Sequence, residues 1–383
     1  MQRIASRGAP RTIPEASVLV VAPTPPPFHG VAVAMRSLLQ GCPVERVRLV
    51  HLDITDRRGI THVDQPDLYD VYLFCRQWFS MAWLLIRQRP RVVYLAISQS
   101  TIGFLRDALF LTLAWLFRRR IVVHLHGGNF AVWYAGRGRP MRSVIDATLA
   151  RVTKFVVLGE TFRKSLDPLI APEKIVVVPN GIPWRHRVSL RDAAGARVRV
   201  LFLSTLSREK GALVLLEAAA RLARERRDVE FVLAGPWLRA ADRAIATRLI
   251  AEHALEGLVS FPGQVDGQAK ADLYDTADVF VFPGLQQEGQ PLVVLEAMAA
   301  GLPVVFCDRG CLAETLLPGE AGVEFALGDP KDLAARLQGL IEHPLERLRL
   351  GANARRRYEE AYSEDRFISN MTRVFIEAAQ GTA

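Results

Sequence analysis

Two carboxylates, Glu288 and Glu296, stand in the stretch Gln287-Glu288-Gly289-Gln290-Pro291-Leu292-Val293-Val294-Leu295-Glu296-Ala297-Met298-Ala299-Ala300-Gly301-Leu302-Pro303-Val304-Val305. An apolar run ends just before it at Phe282-Pro283. Proline favours the first turn of a helix, so a helix is expected to open near Pro291. Gly301 is then its stop, and Pro303 leads into the next strand. That arrangement presents the backbone of Gly289, Gln290, Pro291, Leu292 and Val293 at a helix N-terminus, a place that binds phosphate or sugar oxygens. Glu288 falls on the loop and Glu296 about one and a half turns into the helix, so the two reach different parts of one ligand. Plain structural accounts exist for both. Glu288 complements a helix dipole, and Glu296 stands on a solvated helix face. Leu295, Ala297, Met298 and Ala299 make that face unusually apolar, however, and a carboxylate there needs a partner.

The elements that must position these residues recur along the chain. Short β-branched runs begin at Val18, Val47, Val92, Ile121, Phe155 and Ile175 in the first half, and at Val198, Glu230, Val259, Val279, Val304 and Gly322 in the second. Most are apolar without strict alternation, and helical patterns separate them. This is the signature of parallel strands covered on both faces, an α/β doubly wound class. The turn-rich Pro179-Asn180-Gly181-Ile182-Pro183, followed by the arginine-rich Arg185 to Arg199, marks a boundary. The expectation is two Rossmann-like domains, 1–183 and 184–360, with a closing helix in 361–383 crossing back to the first. Helices are expected at Asp332–Ile341, Leu345–Tyr358 and Asp365–Ala379.

In the first half, Pro25-Pro26-Pro27-Phe28-His29-Gly30-Val31 follows the first strand and opens a helix, where Gly30 lets backbone approach a diphosphate; a proline-rich turn is the plainer account. No G-x-G-x-x-G follows that strand, which argues against a dehydrogenase. No Asp-x-Asp stands at a strand end to chelate Mg²⁺ with a diphosphate, so neither a metal nor a cofactor is expected.

The Glu288–Val305 stretch closely resembles the E-x7-E region of glycosyltransferase family 4, retaining enzymes of the GT-B fold. The resemblance continues through Phe261-Pro262-Gly263, Leu273-Tyr274 and Ala277-Asp278-Val279-Phe280-Val281, and reaches Tyr362-Ser363. It implies two Rossmann-like domains facing across a cleft, with sugar transfer from a nucleotide diphosphate donor, UDP- or GDP-linked. By the same resemblance Glu288 lies by the transferred sugar and Glu296 holds the ribose hydroxyls. Gly289 to Val293 cradle sugar and diphosphate. Lys210, in Arg208-Glu209-Lys210-Gly211, neutralises the diphosphate; taken alone it reads as a helix start with an exposed amine. His126, before Gly127-Gly128, matches a histidine near the donor sugar, and Asn180-Gly181 a motif closing the first domain. Two departures stand out. The family often carries an arginine five residues before the lysine, where this chain has Thr205, and it often has two glycines where this chain has His29-Gly30. Arg208 is the candidate substitute. A sugar-nucleotide epimerase, a phosphorylase and a non-catalytic sugar-nucleotide-binding module remain as alternatives.

The chain has 383 residues, half of them hydrophobic, and a net charge of +9. Its four cysteines, Cys42, Cys75, Cys307 and Cys311, have no metal-ligand or redox spacing, which fits a reducing compartment. No apolar stretch reaches the roughly 20 residues of a membrane span, and the arginines at 3, 7 and 11 have no apolar run behind them. A cytoplasmic protein is expected. The charge is uneven: residues 1–183 carry 24 Lys+Arg against 12 Asp+Glu, while the remainder is slightly acidic. A background rich in arginine accounts for this, or else a polyanionic neighbour does. The apolar runs Trp78–Ile86 and Ala108–Phe117 each end in arginines, although each is also compatible with an ordinary helix on a sheet. From these we expect peripheral attachment to an anionic membrane surface and a glycan or lipid-linked acceptor for surface polysaccharide synthesis. No nucleic-acid partner is expected.

Overall fold

The computed structural model describes residues 14–27, 29–58, 67–184 and 197–381. Arg3, Arg7, Arg11, Phe28 and the 185–196 part of the arginine-rich segment lie outside the described residues. The chain runs β1 (Ala16–Ala22), α1 (Gly30–Gly41), β2 (Val47–Asp53), α2 (Leu68–Gln88), β3 (Val92–Ala96), α3 (Thr101–Leu116), β4 (Arg120–Leu125), α4 (Phe130–Ala135), α5 (Arg139–Ala150), β5 (Lys154–Val157), α6 (Glu160–Leu166) and β6 (Ile175–Val177). It continues β7 (Val198–Leu203), α7 (Ala212–Leu222), β8 (Val229–Ala234), α8 (Ala240–Glu252), β9 (Val259–Gly263), α9 (Gly267–Thr276), β10 (Val279–Phe282), α10 (Leu292–Ala299), β11 (Val304–Phe306), α11 (Leu312–Leu316), β12 (Gly322–Glu324), α12 (Pro330–Glu342), α13 (Pro344–Arg357) and α14 (Glu364–Gln380).

Each of the twelve apolar runs is a strand, and they form two six-stranded sheets, ordered β2-β1-β3-β4-β5-β6 and β12-β11-β10-β7-β8-β9. The pairs whose register is resolved are parallel, β1 with β2 and β3, and β10 with β7 and β11 among them. Parallel strands need covering on both faces. In the second sheet one face is packed by Leu215, Leu216 and Ala219 of α7 and Leu333 and Leu337 of α12. The other face is packed by Val294, Leu295, Ala297 and Met298 of α10, with Tyr358 and Tyr362.

Contacts divide the chain into two compact units. One takes in Met1–His124, Gly138–Val156 and Ile368–Ala383; the other takes in Leu125–Arg137 and Val157–Phe367. Inside the first, α14 contributes Phe375, whose ring meets Tyr94 of β3 edge-on at 5.4 Å.

Candidate functional site

In the second sheet the strand order reverses between β7 and β10. Loops leaving the carboxyl ends of strands at such a reversal form a ligand crevice. Three loops meet there: 204–211 after β7, 283–291 after β10 and 307–311 after β11.

Helix α10 begins one residue later than expected. Pro291 is its cap, extended at ψ 123°, and Leu292 is the first helical residue. The shift follows from proline's fixed φ, which suits both positions. Gly301, at φ +70°, ends the helix as expected, its N–H donating to Met298 O.

The 288–289 backbone is clasped by glycines. A side-chain carbon on Gly289 would lie 1.9 Å from the His126 carbonyl oxygen. One on Gly128 would lie 2.3 Å from the Glu288 carbonyl oxygen, and one on Gly310, itself at φ +66°, would lie 1.9 Å from that same atom. Cys311 Sγ donates to Gly289 O at 3.1 Å and Cys307 Sγ to Gly284 O at 3.0 Å. Burial pushes these thiols up, to about 12 and about 11, so they stay protonated donors. Gly310 N–H donates to Gln287 Oε1 at 3.0 Å. Gly211 adds a fourth close approach, since a side chain there would meet Pro283 O at 2.1 Å, and Leu285 N–H donates to Glu209 O. The loops carrying Lys210 and Glu288 are thereby fixed to each other.

Lys210 Nζ and Glu288 Oε1 form a hydrogen-bonded ion pair at 2.5 Å, with side chains 24% and 15% exposed. The same carboxylate oxygen accepts from Gln286 Nε2 at 3.1 Å. At the other end, Glu296 has the partner its apolar surroundings demand. Lys270 Nζ donates to it at 2.6 Å and the Tyr274 hydroxyl at 2.9 Å. Tyr274 also lies 3.1 Å from Val293 O. Burial first, and then the Glu296 charge, hold the Tyr274 phenol well above its ordinary pKa, which keeps it a donor. Lys270 and Tyr274 were not singled out as site residues from the sequence. Their signal is present, since an i, i+4 pair on α9 shares one helix face.

The remaining candidates fall as follows. The Gln290 side chain is buried: its Oε1 accepts from Asn180 N–H at 2.7 Å and its Nε2 donates to Thr315 Oγ1 at 3.1 Å. What Gln290 offers a ligand is therefore backbone. Gly181 packs on Ser363, where a side chain would lie 2.3 Å from its carbonyl oxygen, so the Asn180-Gly181 turn is anchored. Thr205 is half-buried and Arg208 is exposed, its backbone N–H donating to Asp242 at 3.2 Å. Gly30 belongs to the other unit. It is the first residue of α1, capped by His29 Nδ1, and its Cα faces open space, so no protein group forces a glycine there. Among the described residues no cluster of His, Cys, Asp and Glu is suited to a metal ion.

Helix N-terminal backbone, one cation, one carboxylate and a separately anchored second carboxylate make a site for an anionic, hydroxyl-bearing ligand. The family model for glycosyl transferases group 1 matches residues 192–357, the segment that holds Lys210, Lys270, Tyr274, Glu288 and Glu296. The chain is 34% identical over 201 residues to MMP alpha-(1->4)-mannosyltransferase of Mycolicibacterium hassiacum, covering 51% of this chain and 47% of that protein. It is 35% identical over 191 residues to phosphatidyl-myo-inositol mannosyltransferase of Mycobacterium leprae, covering 48% and 50%. The chain spans about half the length of the curated relatives it matches. Among solved structures, HepE of Anabaena in complex with UDP and glucose superposes with a TM-score of 0.72 at 17% identity, over 94% of this chain and 99% of that one. Sucrose-phosphate synthase from Thermosynechococcus elongatus superposes at 0.70 with 18% identity, over 94% and 98%. Residues 192–357 thus match the glycosyl transferases group 1 model, and the two six-stranded sheets share the architecture of the GT-B fold.

Proposed function

We propose that this protein is a retaining glycosyltransferase that moves a sugar from a UDP- or GDP-sugar to a glycan acceptor. In this reading the domain in residues 184–360 takes the donor and the one in 1–183 the acceptor, with the closing helix of 361–383 packed on the latter. The observation that carries it is the Lys210–Glu288 pair, held by glycine-clasped loops at the amino end of α10 where the strand order reverses. Breaking an anomeric C–O bond places positive charge on the sugar and negative charge on the departing diphosphate. Lys210 and the first N–H groups of α10 stabilise the diphosphate. Glu288, released from Lys210 as the diphosphate takes the ammonium, orients or stabilises the sugar, and His126 lies near it. Glu296, braced by Lys270 and Tyr274, accepts from the ribose hydroxyls. Gly30, the first residue of α1, is kept as a candidate diphosphate contact on the family resemblance alone. Helix dipole and ammonium supply the charge stabilisation, so the reaction runs without a metal.

The acceptor is proposed to be a lipid-linked glycan in surface polysaccharide synthesis, met at an anionic membrane surface. The polysaccharide and glycolipid roles in the names of relatives support that class, among them the putative colanic acid biosynthesis glycosyltransferase of Salmonella typhimurium. Among the described residues no helix is long and apolar enough to cross a membrane; the contact proposed here is peripheral. The experiment is thermal unfolding in EDTA against a panel of UDP- and GDP-sugars. A ligand at one hundred times its Kd stabilises by about 2.7 kcal/mol. Stabilisation by one nucleotide class supports the reading; no shift with any of them refutes it.

A further inference from the structure

Helices α2 and α3 expose apolar faces where surface helices ordinarily turn polar ones outward. On α2 the inward stripe is Leu73, Gln77, Met81 and Leu85. The opposite side, at i+7, i+4 and i+3 spacing, carries Tyr72, Phe79, Trp83 and Ile86, exposed by 59%, 66%, 59% and 61%. On α3, Ile102, Leu105 and Leu109 recur on one exposed side in the same way. The two helices touch. Both connect parallel strands stepping the same way across the sheet, β2 to β3 and β3 to β4, and right-handed crossovers place them on the same sheet face. Exposed apolar faces on two touching helices mark a partner rather than ordinary surface scatter.

Charge decides which partner. Each helix holds a single acid, and neither is free: Asp70 is bound by Arg58, and Asp107 is fully buried against Arg106 at 2.8 Å. Besides Arg106, which pairs with Asp107, the cations are Arg76 and Arg87 on α2, Arg89 just beyond it, and Arg118 and Arg119 just beyond α3. Among the described residues none of these five forms an ion pair. Arg89 and Arg119 lie close enough that the charge of Arg89, added to burial, holds the Arg119 guanidinium below its ordinary pKa. A second copy docked on this face would bring the same uncompensated arginines against it. An anionic bilayer meets both features, with aromatic rings at the headgroup level and cations at the phosphates.

We propose that the outward faces of α2 and α3 form one surface that docks on an anionic lipid bilayer, with Phe79 and Trp83 entering the headgroup–acyl boundary and the flanking arginines meeting lipid phosphates. This rests on the membrane part of the reading above and not on the donor chemistry. The test is co-sedimentation of the full chain with vesicles of phosphatidylcholine alone and of phosphatidylcholine mixed equally with phosphatidylglycerol, at low and high salt. Binding is expected to the anionic vesicles only and to weaken with salt. Phe79→Ser with Trp83→Ser is expected to lower partitioning by about tenfold or more. Arg76→Gln with Arg87→Gln is expected to lower it about fivefold per charge. All four side chains are exposed, so both variants should fold, and release of nucleoside diphosphate on a water-soluble acceptor should be unchanged. Absence of wild-type binding overturns the proposal, as does full binding by both variants. So does a wild-type dimer in solution that Phe79→Ser with Trp83→Ser dissociates, which would assign the face to a second copy. Normal transfer with failed vesicle binding sinks the docking surface alone; failed transfer with retained binding sinks the transferase reading alone.

Discussion

Replacing Glu288 with glutamine separates two roles that the ion pair with Lys210 ties together. Under the proposed function, a diphosphate that binds Lys210 Nζ has to take it from a carboxylate at 2.5 Å, with both side chains largely shielded from water. Glutamine keeps the shape and one oxygen acceptor but removes the charge. Lys210 stays charged in the variant, so its bond to the amide oxygen remains charge-assisted on the donor side and at most about half of the 1.5–3 kcal/mol typical of a charged bond is lost. Up to about 0.75–1.5 kcal/mol of competition should therefore disappear, and the nucleoside diphosphate should bind up to about three- to twelvefold tighter to Glu288→Gln. Turnover should move the other way, falling by about two to four orders of magnitude as the sugar loses its carboxylate. Titration calorimetry of the diphosphate, with turnover measured on the same preparation, reads both. Weaker diphosphate binding in the variant, or near-normal turnover, would refute the argument.

Three further outcomes follow from the same geometry. Tyr274→Phe removes the hydroxyl that braces Glu296 and leaves Lys270 in place, so donor Kd should rise about tenfold with turnover less affected; unchanged Kd by calorimetry would assign the hydroxyl to Val293 O alone. Gly289→Ala forces a carbon against the His126 carbonyl, and chemical denaturation should show a loss of at least about 1–3 kcal/mol, with activity gone; a stable, active variant would contradict the clasped loop. The raised Cys307 and Cys311 pKa values favour the folded state while the thiols are protonated in both states. That contribution is present below the ordinary thiol value of 9.0 and is lost as pH rises toward about 11 and about 12. Stability measured by denaturant should fall above about pH 9, and Cys307→Ala with Cys311→Ala should flatten that part of the profile.

The α/β class was legible because parallel strands buried on both faces leave unbroken apolar runs such as Val279–Phe282, and these survive any detail of packing. The Glu288–Gly301 stretch was legible because its start and stop residues act locally; only Pro291 was placed one residue too deep, since proline's φ suits the cap as well as the first turn. Partners that depend on folding were not readable. Lys270 lies 26 residues from Glu296 in sequence, and Lys210 lies 78 from Glu288. The need for a Glu296 partner could be argued from its apolar neighbours, but not which residue met it. Gly128 and Gly310 matter through close approach to the Glu288 carbonyl, which sequence spacing does not encode. Gln290 shows the reverse limit, since its side chain is drawn into Asn180 and Thr315.

The proposed function requires transfer of a sugar from a nucleotide diphosphate donor with its anomeric configuration kept. Proton NMR of the full chain with the donor class selected by thermal stabilisation, a glycan acceptor and EDTA follows the anomeric signal directly. Loss of the donor's anomeric resonance, stoichiometric appearance of free nucleoside diphosphate and a product of the same anomeric configuration are expected, all abolished by Lys210→Ala. A donor resonance unchanged in every UDP- and GDP-sugar mixture while the protein stays folded, or a product of inverted configuration, would contradict it.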